Sequence, residues 1–409
     1  MNAARLAGQV ARHRLRGRLD AAVRALGEPT SSPVVVVDLD AFDANAADLV
    51  RRAAGTPVRV ASKSVRVPAL VSRALAAPGF AGVLAYSLRE ALWLHRQGIC
   101  DDVVMGYPSV DLPALGALAH DASARTAVTL MVDDVDQLDL VCAAGVPDGP
   151  PVRVAVDVDA ALRLGPAVVG PRRSPLRDAH RVLTLAREVQ ARPGLSLVGV
   201  MTYEGQVAGV PDDVPGRAAR SAAVRAVKRA SVARLREHRR TVAAALRDVA
   251  ELEFWNAGGS GSIETSSADP VVTEVTAGSG LLVPALFDHY RSFTPRPAQF
   301  FGVPVVRRPS ADCVTVAGGG LVASGPAGTD RLPVPWAPPG LRLTGLEGAG
   351  EVQTPLRGSA AQTLAVGDLV WFRHGKSGEL AEHTNEVLLL RGDRVVDRVP
   401  TYRGAGNAW

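Results

Sequence analysis

The chain has 409 residues, of which 47% are hydrophobic and 21% are charged, and its formal net charge at pH 7 is +5. Its 40 glycines and 29 prolines follow no repeat, which excludes collagen-like and low-complexity chains and leaves an ordinary globular composition. The apolar runs are too short for a membrane span, and the basic start Met1–Arg18 lacks the apolar core of a secretory signal. We therefore expect a cytoplasmic protein with no membrane partner.

The cysteines and the arginines exclude two further classes. Cys100, Cys142 and Cys313 are isolated and odd in number, which argues against a disulfide framework and against a cysteine zinc site. The arginines are spread along the chain without interleaved aromatic residues, and their densest stretch, 217–247, is also predicted to be one long helix. A solvated basic helix face explains this charge better than nucleic-acid binding does.

In chain order, a helix over 5–27 precedes a strand at Val34–Val37 and a helix that Asp40 is expected to cap. Eight short, valine-rich strands then alternate with helices: Val58–Ala61, Gly82–Tyr86, Asp102–Met105, Ala127–Met131, Val152–Val158, Leu197–Thr202, Leu252–Trp255 and Val271–Thr276. The helices expected between them include Ser87–Gln97, Leu112–Asp121, Val135–Ala144, Ser174–Gln190 and Arg217–Val249. This alternation predicts an α/β fold with a parallel sheet closed into a (β/α)8 TIM barrel. An open doubly wound sheet is the alternative, although no GxGxxG motif follows the first strand.

After about residue 295 the helical spacing stops, and short alternating runs appear between proline and glycine turns. They predict a small all-β domain, with strands at Val303–Val306, Cys313–Ala317, Leu341–Leu343, Leu369–Phe372, Val387–Leu390 and Arg394–Val396. We therefore divide the chain into an N-terminal helical segment (1–33), a barrel (34–294) and a C-terminal β-domain (295–409).

Lys63 lies where the first barrel strand gives way to a helix, at the edge of the sheet where such proteins bind ligands. The chain has only three lysines, Lys63, Lys228 and Lys376, among many arginines. An amine can lose its proton and attack a carbonyl group, which a guanidinium cannot do. Lys63 is therefore a candidate Schiff-base lysine. The alternative is that a lysine lies near this strand end by chance.

Two glycine-rich loops follow the last two barrel strands, where TIM barrels commonly bind a phosphate through free backbone N–H groups. Their residues are Gly258, Gly259, Ser260, Gly261 and Ser262 after the seventh strand, and Gly278 and Ser279 after the eighth. A flexible turn is the alternative interpretation of either loop. An amine facing a phosphate cradle predicts a site for pyridoxal 5′-phosphate, whose aldehyde forms an imine with an amine.

With these residues the chain resembles the fold-type III pyridoxal-phosphate enzymes, in which an alanine-racemase-like barrel precedes a β-domain. More narrowly, it is similar to the D-threonine aldolase and D-serine dehydratase branch, also called amino acid deaminase/aldolase. Ala61–Ser64 resembles the cofactor-lysine motif, Asp157–Gly165 the DxG…RxG stretch, and Met201–Gln206 the tyrosine–glycine segment. The resemblance implies that Arg163 reaches the phenolic oxygen of the cofactor, that Tyr203 lies beside its ring, and that the glycine loops hold its phosphate.

The chain departs from this branch at the metal site. In the branch, a histidine and a cysteine or aspartate two residues later hold a divalent metal that binds the β-hydroxyl of the substrate. Here His374 is followed by Lys376, which as an ammonium cannot bind a metal. Either Glu379, Glu382 and His383 complete a different site with His374 for Mn²⁺, Mg²⁺ or Zn²⁺, or the Lys376 ammonium stands where the metal charge would be. An ordinary polar surface loop is the third interpretation.

The resemblance implies a lyase that cleaves or dehydrates a β-hydroxy D-amino acid, with Lys63 at the cofactor and His374 or Lys376 assisting at the β-hydroxyl. It also implies a homodimer that takes a small amino acid as substrate. A racemase of the same fold is one alternative, which needs a second base, and Tyr402 is the only tyrosine of the β-domain. A non-catalytic cofactor-carrying protein is another, although such proteins usually lack a β-domain.

Overall fold

The computed structural model describes residues 3–27, 32–294 and 296–409. Its strands, in chain order, are β1 (Val34–Asp38), β2 (Val58–Ala61), β3 (Phe80–Ala85), β4 (Val103–Met105), β5 (Val128–Val132), β6 (Val152–Asp157), β7 (Leu162–Leu164), β8 (Ala167–Val169), β9 (Leu195–Thr202), β10 (Phe254–Ala257), β11 (Glu274–Ala277), β12 (Gln299–Ser310), β13 (Cys313–Ala317), β14 (Val334–Ala337), β15 (Arg342–Leu343), β16 (Gln353–Arg357), β17 (Leu369–Arg373), β18 (Glu386–Arg391) and β19 (Arg394–Pro400). Its helices are α1 (Ala3–Arg24), α2 (Leu39–Ala53), α3 (Pro68–Leu75), α4 (Leu88–Arg96), α5 (Leu112–Ala119), α6 (Ala122–Ala127), α7 (Val135–Ala143), α8 (Ala179–Gln190), α9 (Gly205–Ala208), α10 (Ala218–Leu246), α11 (Ile263–Ser267) and α12 (Ser279–Leu282).

Eight parallel strands close into a barrel in the order β2-β3-β4-β5-β6-β9-β10-β11, and β11 pairs back to β2. This confirms the predicted TIM barrel, and each of its strands overlaps one of the eight predicted strands. The interior holds an apolar cluster of Val104, Met131, Ala155, Val198, Met201 and Phe254. Gly199 is required beside it, because a Cβ atom there would lie 2.2 Å from the Phe254 ring. The barrel is thus a packed core whose open end, at the carboxyl ends of the strands, is free for a site.

The second sheet has nine strands in the order β15-β16-β13-β12-β1-β18-β19, with β17 pairing both β12 and β14. It corresponds to the predicted all-β region, but it also contains β1, which we expected in the barrel region that begins at residue 34. β1 pairs with β12 and β18 because both of its faces are apolar: Val34 and Val36 pack with Leu19 of α1, whereas Val35 and Val37 join the main core. The predicted boundary at residue 295 falls on a residue outside the described ranges.

Two local predictions are corrected by the structure. The N-cap of α2 is Asp38, whose Oδ1 atom accepts hydrogen bonds from the amides of Asp40 and Ala41 at 3.1 and 3.3 Å, so Asp40 is not the cap. The helix predicted to begin at Ser174 begins at Ala179, after the β7–β8 hairpin and an extended segment. That segment matters below because it carries Arg173 to the mouth of the barrel.

The long helix predicted over 217–249 is α10, which buries one stripe of side chains and exposes most of its arginines. Its buried Arg239 is the exception, and the candidate site uses it. The three cysteines have free thiols. Within the described ranges, no helix combines the length and the apolarity needed to cross a bilayer.

Candidate active site

A cavity of about 230 Å³ opens at the carboxyl ends of the barrel strands and is partly covered by loops of the second sheet. Four cationic side chains line it: Lys63, Arg173, Arg331 and Lys376. None of the described residues that line it is an aspartate or a glutamate. An excess of positive charge inside a partly enclosed cleft raises the local concentration of anions. The cavity is therefore suited to a ligand that carries several negative charges.

Lys63 lies on one wall of this cavity, in the turn Ser62–Ser64 after β2. We call this turn, together with the residues that contact it, the lysine wall. The turn is a short 3₁₀ helix, so the lysine lies at the end of a strand, as predicted. Its Nζ atom donates a hydrogen bond to the Tyr107 hydroxyl at 2.5 Å. The buried Ser62 hydroxyl donates to the Leu84 carbonyl at 3.1 Å and fixes the turn to β3. The amine is thus held in the cavity by a turn that cannot rotate freely.

Residues of the C-terminal part of the chain press on this turn from outside. Gly378 has φ of +97°, and a Cβ atom there would lie only 1.9 Å from the Lys63 carbonyl oxygen. Arg66 has φ of +53°, an unusual value for a residue with a side chain. Its guanidinium donates to the Lys63 carbonyl at 3.0 Å and pairs with Glu382 at 2.5 Å. Gly378 and Glu382, both from the C-terminal part of the chain, therefore help to position the Lys63 turn.

Glu90 lies buried behind the same turn, and no cation of the described ranges lies within hydrogen-bond distance of it. Its Oε2 atom accepts the Tyr86 amide at 2.7 Å, and its Oε1 atom has no hydrogen-bond partner among the described residues. Burial raises the pKa of Glu90 to about 7, although the nearby Ser62 and Tyr402 hydroxyls act in the opposite direction. The lysine wall thus contains a carboxyl group that changes its charge near neutral pH.

The opposite wall, which we call the glycine wall, is formed by the loops after β10 and β11. Gly258, Gly259, Ser260, Gly278 and Ser279 line the cavity, as the sequence led us to expect. Side chains are excluded there, because a Cβ atom at Gly278 would lie 2.4 Å from the Ala61 carbonyl oxygen and one at Gly259 would lie 2.9 Å from the Ala208 Cβ.

Hydrogen-bond donors remain available on this wall. The Ser64 and Ser279 hydroxyls lie 2.9 Å apart, and the Ser260 hydroxyl accepts the Gly280 amide at 2.9 Å. Within the described part of the chain, the amides of Ser260 and Ser279 have no protein acceptor. Free amides, hydroxyls and the absence of carboxylates are the features of a phosphate site. The residues present therefore fit a phosphate group on this wall and a carbonyl group at Lys63 on the other.

Gly261 and Ser262 do not line the cavity but hold the loop in place. A Cβ atom at Gly261 would lie 2.2 Å from the Ala208 carbonyl oxygen, so this position also requires glycine. The Ser262 hydroxyl donates to Glu204 Oε1 at 2.7 Å and accepts the Gly259 amide at 3.1 Å. Both residues thus support the glycine wall from behind.

A buried ion network lies under the glycine wall. Glu204 pairs with Arg239 of α10 at 2.8 Å, and Arg239 pairs with Asp269 at 3.1 Å. Each of these three residues is at most 3% exposed. Glu204 also accepts hydrogen bonds from Ser262 and from Ser266, at 2.7 and 2.5 Å. Because the charges are paired and hydrogen-bonded, the network fixes the loop that forms the wall.

Tyr203 and one arginine complete the sides of the cavity, but the arginine is not the expected one. Arg163 pairs with Asp159 at 2.6 Å and lines a separate cavity between the β7–β8 hairpin, α8 and α10, so its predicted place beside the cofactor is corrected. Arg173 lines the site instead, with its guanidinium 5.7 Å from the Tyr107 ring and 5.4 Å from the Tyr203 ring. Burial raises the pKa of Tyr203 to about 12, which keeps its hydroxyl protonated.

The four tentative metal ligands do not come together. His374 is buried outside the lining of the cavity, where its Nε2 lies 3.2 Å from the Ser377 hydroxyl. Burial and then the charge of Arg373 lower its pKa to about 3, so the imidazole is neutral. Glu379 pairs with Lys376, Glu382 pairs with Arg66, and His383 is exposed. Among residues 3–27, 32–294 and 296–409, no three His, Cys, Asp or Glu side chains are grouped as a metal site requires. The described residues therefore do not assemble the alternative metal set.

Several lining residues were missed because no local pattern marks them. Arg173, Tyr290 and Arg331 reach the cavity from a hairpin segment, from the stretch after α12 and from a 3₁₀ turn at Thr329–Arg331. Arg331 is only 20% exposed, and its buried Nε atom makes no hydrogen bond in the described part of the chain, although Asp330 Oδ2 lies 3.7 Å from it. Tyr107, by contrast, follows β4 by two residues, and its place after a strand marks it in the sequence.

Comparison with known proteins agrees with this architecture. A D-threonine aldolase of an Arthrobacter species is 29% identical over 262 residues, which are 62% of each chain. A 3-hydroxy-D-aspartate aldolase of Paracoccus denitrificans is 27% identical over 254 residues, which are 61% of this chain and 59% of that protein. The matched region thus spans about three fifths of the length of these curated relatives. The crystal structure of a D-threonine aldolase from Filomicrobium marinum has a TM-score of 0.73 and 23% identity, and the match covers 91% of this chain and 95% of that one.

The family comparison covers the barrel. Residues 37–283 match the family described as "Alanine racemase, N-terminal domain". The match begins at the end of β1 and ends just after α12, so it includes Lys63 and both glycine loops. The chain belongs to the alanine racemase N-terminal domain family.

Proposed function

We propose that this protein is a pyridoxal-phosphate-dependent lyase that acts on a β-hydroxy D-amino acid, by retro-aldol cleavage or by dehydration. The observation that carries the proposal is that the Lys63 amine and the bare glycine loops line one cavity with four cations and, among its described lining residues, no carboxylate. The names of the D-threonine aldolase and 3-hydroxy-D-aspartate aldolase relatives support the same reaction class.

The two walls of the cavity would bind different parts of the cofactor. Lys63 would hold it by its aldehyde, and the amides and hydroxyls at Ser260 and Ser279 would hold its phosphate. Arg173, whose guanidinium lies 5.7 Å from the Tyr107 ring and 5.4 Å from the Tyr203 ring, would pair with the phenolic oxygen of the cofactor, the role first expected of Arg163. When bound, pyridoxal phosphate supplies a ring that accepts the electrons of a bond broken at the substrate's α-carbon.

The remaining side chains would handle the substrate. Arg331 has a buried Nε donor that makes no hydrogen bond to the described residues and lies 3.7 Å from its ion-pair partner Asp330, and it would bind a substrate carboxylate. The Lys63 Nζ atom would take the α-proton in a dehydration, with the Tyr107 hydroxyl fixing its direction at 2.5 Å. His374 is buried outside the cavity and is left out of the proposed site. The lid over the cavity comes from loops of the second sheet, which would limit access of water.

The racemase alternative is weaker on this geometry. It needs a base on the opposite ring face, and Tyr402 of the β-domain is 1% exposed and does not line the cavity. Burial raises the pKa of Tyr402 well above its ordinary value, with Glu90 adding to the effect, so the hydroxyl is a poor base at neutral pH. A homodimer remains part of the proposal through the resemblance to the fold-type III enzymes, and the free thiols of the three cysteines support a cytoplasmic location.

The experiment is to compare Lys63→Ala with Lys228→Ala after reconstitution with pyridoxal phosphate. Lys228 pairs with Asp212 at 3.1 Å outside the cavity lining and is the matched control. We expect the control to keep the visible absorption band and Lys63→Ala to lose it together with turnover. D-threonine and D-serine are then supplied, and the products distinguish cleavage (glycine plus aldehyde), dehydration (keto acid plus ammonia) and racemisation (the L-isomer). A visible band retained in Lys63→Ala would refute the assignment of the lysine.

A further inference from the structure

The divalent metal that the resemblance implies does not fit the donors found here. A metal at this site would need His374 and the residue two positions later to face one point. His374 lies outside the lining of the cavity, and the later residue is Lys376. An ammonium has no lone pair to donate to a metal ion. The nearby carboxylates of Glu379 and Glu382 are already held by Lys376 and Arg66.

Lys376 itself is held in a defined position at the cavity. Its Nζ atom donates to the Ser324 hydroxyl at 2.6 Å and pairs with Glu379 Oε1 at 3.1 Å. Ser324 in turn donates its hydroxyl to Glu379 Oε1 at 2.5 Å and its amide to Glu379 Oε2 at 2.8 Å. These four contacts form a closed ring of hydrogen bonds among three residues. These hydrogen bonds fix the long Lys376 side chain, which is 43% exposed.

The hydrogen-bond count leaves one donor for a ligand. An ammonium group has three N–H donors, of which Ser324 and Glu379 take two. Within residues 3–27, 32–294 and 296–409 the third donor has no acceptor, and the group that carries it lines the same cavity as Lys63 and Arg331. The Lys376 ammonium group can donate a hydrogen bond to an oxygen atom on which negative charge develops. A metal ion would stabilise the same charge by coordinating that oxygen.

We propose that the Lys376 ammonium, positioned by Ser324 and Glu379, takes the place of a divalent metal and binds the β-oxygen of the substrate. The inference rests on the proposed function and deepens it, because it makes the site metal-independent. It defines the substrate class by a β-oxygen, and it makes Glu379 and Ser324 positioning residues.

The first experiment needs no turnover. Mn²⁺ and Zn²⁺ are titrated separately into the pyridoxal-phosphate-loaded wild-type protein by calorimetry, and bound metal is measured after dialysis. We expect no stoichiometric binding of either ion. One tightly bound ion per chain, removed by EDTA and restored by readdition of the metal, would overturn the inference while leaving the proposed function intact.

The second experiment compares D-threonine with D-2-aminobutyrate, which differ only in the β-hydroxyl group. Binding of each is followed by the spectral change of the bound cofactor in wild type, Lys376→Met and Lys376→Arg. We expect Lys376→Met to lower kcat/KM for D-threonine about 100-fold, the usual effect of losing one donor to a developing negative charge, and to abolish the wild-type preference for D-threonine over D-2-aminobutyrate. Affinity for D-2-aminobutyrate should not change, and Lys376→Arg should recover part of the loss.

The outcomes separate the two proposals. Equal loss of affinity for both ligands in Lys376→Met would mean that Lys376 only supports the loop, and this inference would be wrong. Failure of the wild type to turn over any β-hydroxy D-amino acid would instead reject the proposed function, and the metal titration would still report whether the donor set binds an ion.

Discussion

A buried glutamate lies behind each wall of the cavity, and the two glutamates differ in the number of charged and hydrogen-bond partners that they have. Behind the glycine wall, Glu204 is paired with Arg239 and accepts hydrogen bonds from Ser262 and Ser266. Behind the lysine wall, Glu90 accepts one amide and leaves an oxygen that no described residue contacts by a hydrogen bond. Glu204, whose carboxylate is fully paired and hydrogen-bonded, fixes the loop that would hold the phosphate of the cofactor. Glu90, with its incomplete set of hydrogen bonds, lies behind the turn that carries Lys63 and close to the Ser62 hydroxyl.

The difference predicts a large effect on stability at the glycine wall. Glu204→Ala leaves Arg239 buried with only Asp269 as a charged partner among the described residues, and breaking a buried ion pair in this way costs about 3–5 kcal/mol. The free energy of unfolding is measured by urea denaturation. Glu253→Ala is the matched control, because Glu253 pairs with Arg153 at 2.5 Å on the surface and is 52% exposed. Such an exposed pair is worth less than about 1 kcal/mol. Equal losses for the two variants would contradict the structural role of the network.

At the lysine wall we expect the contribution of Glu90 to the free energy of unfolding to depend on pH. The pKa of Glu90 is raised from its ordinary value of 4.5 to about 7. Below pH 4.5 the carboxyl is protonated in both the folded and the unfolded chain, and its contribution to stability is fully present. Between pH 4.5 and 7 the unfolded chain ionises first, so stability is lost as pH rises, by about 3 kcal/mol at one pKa unit per 1.4 kcal/mol.

The measurement is the difference in unfolding free energy between Glu90→Gln and wild type across the range from pH 4.5 to about 7 that the two pKa values define. A glutamine side chain cannot ionise, so this difference should grow by about 3 kcal/mol in favour of the variant as pH rises. Glu237→Gln is the control for the substitution itself, because Glu237 is 58% exposed on α10. A flat difference for Glu90→Gln would mean that the Glu90 carboxyl is ionised in the folded protein.

The sequence was sufficient for those parts of the site that depend on local order along the chain. Lys63 and the glycine loops follow barrel strands directly, so identifying the strands placed both at one end of the barrel. Arg239 could not be assigned, because it is one of many arginines on α10 and only the packed structure brings it to Glu204, 35 positions earlier. Arg163 was chosen from its resemblance to the RxG motif. The β7–β8 hairpin directs Arg163 away from the cavity and leads to Arg173, and no strong strand pattern in the sequence marks that hairpin. β1 was misplaced for a similar reason, since a buried valine run fits either sheet.

Gly278 lies where the two walls meet, and it offers the smallest of these tests. A Cβ atom there would lie 2.4 Å from the Ala61 carbonyl oxygen and 3.0 Å from the Ser64 Cβ, so Gly278→Ala should push the glycine loop away from the lysine turn. Overpacking of this kind costs about 1–3 kcal/mol, which would weaken affinity for pyridoxal phosphate about 10- to 100-fold if the cofactor spans both walls. The dissociation constant is measured by absorbance titration. Gly116→Ala in α5, where a Cβ atom would meet nothing within 4 Å, should leave the affinity unchanged. A loss of stability in Gly278→Ala without a loss of cofactor affinity would show that the walls are joined for folding alone and that the phosphate lies elsewhere.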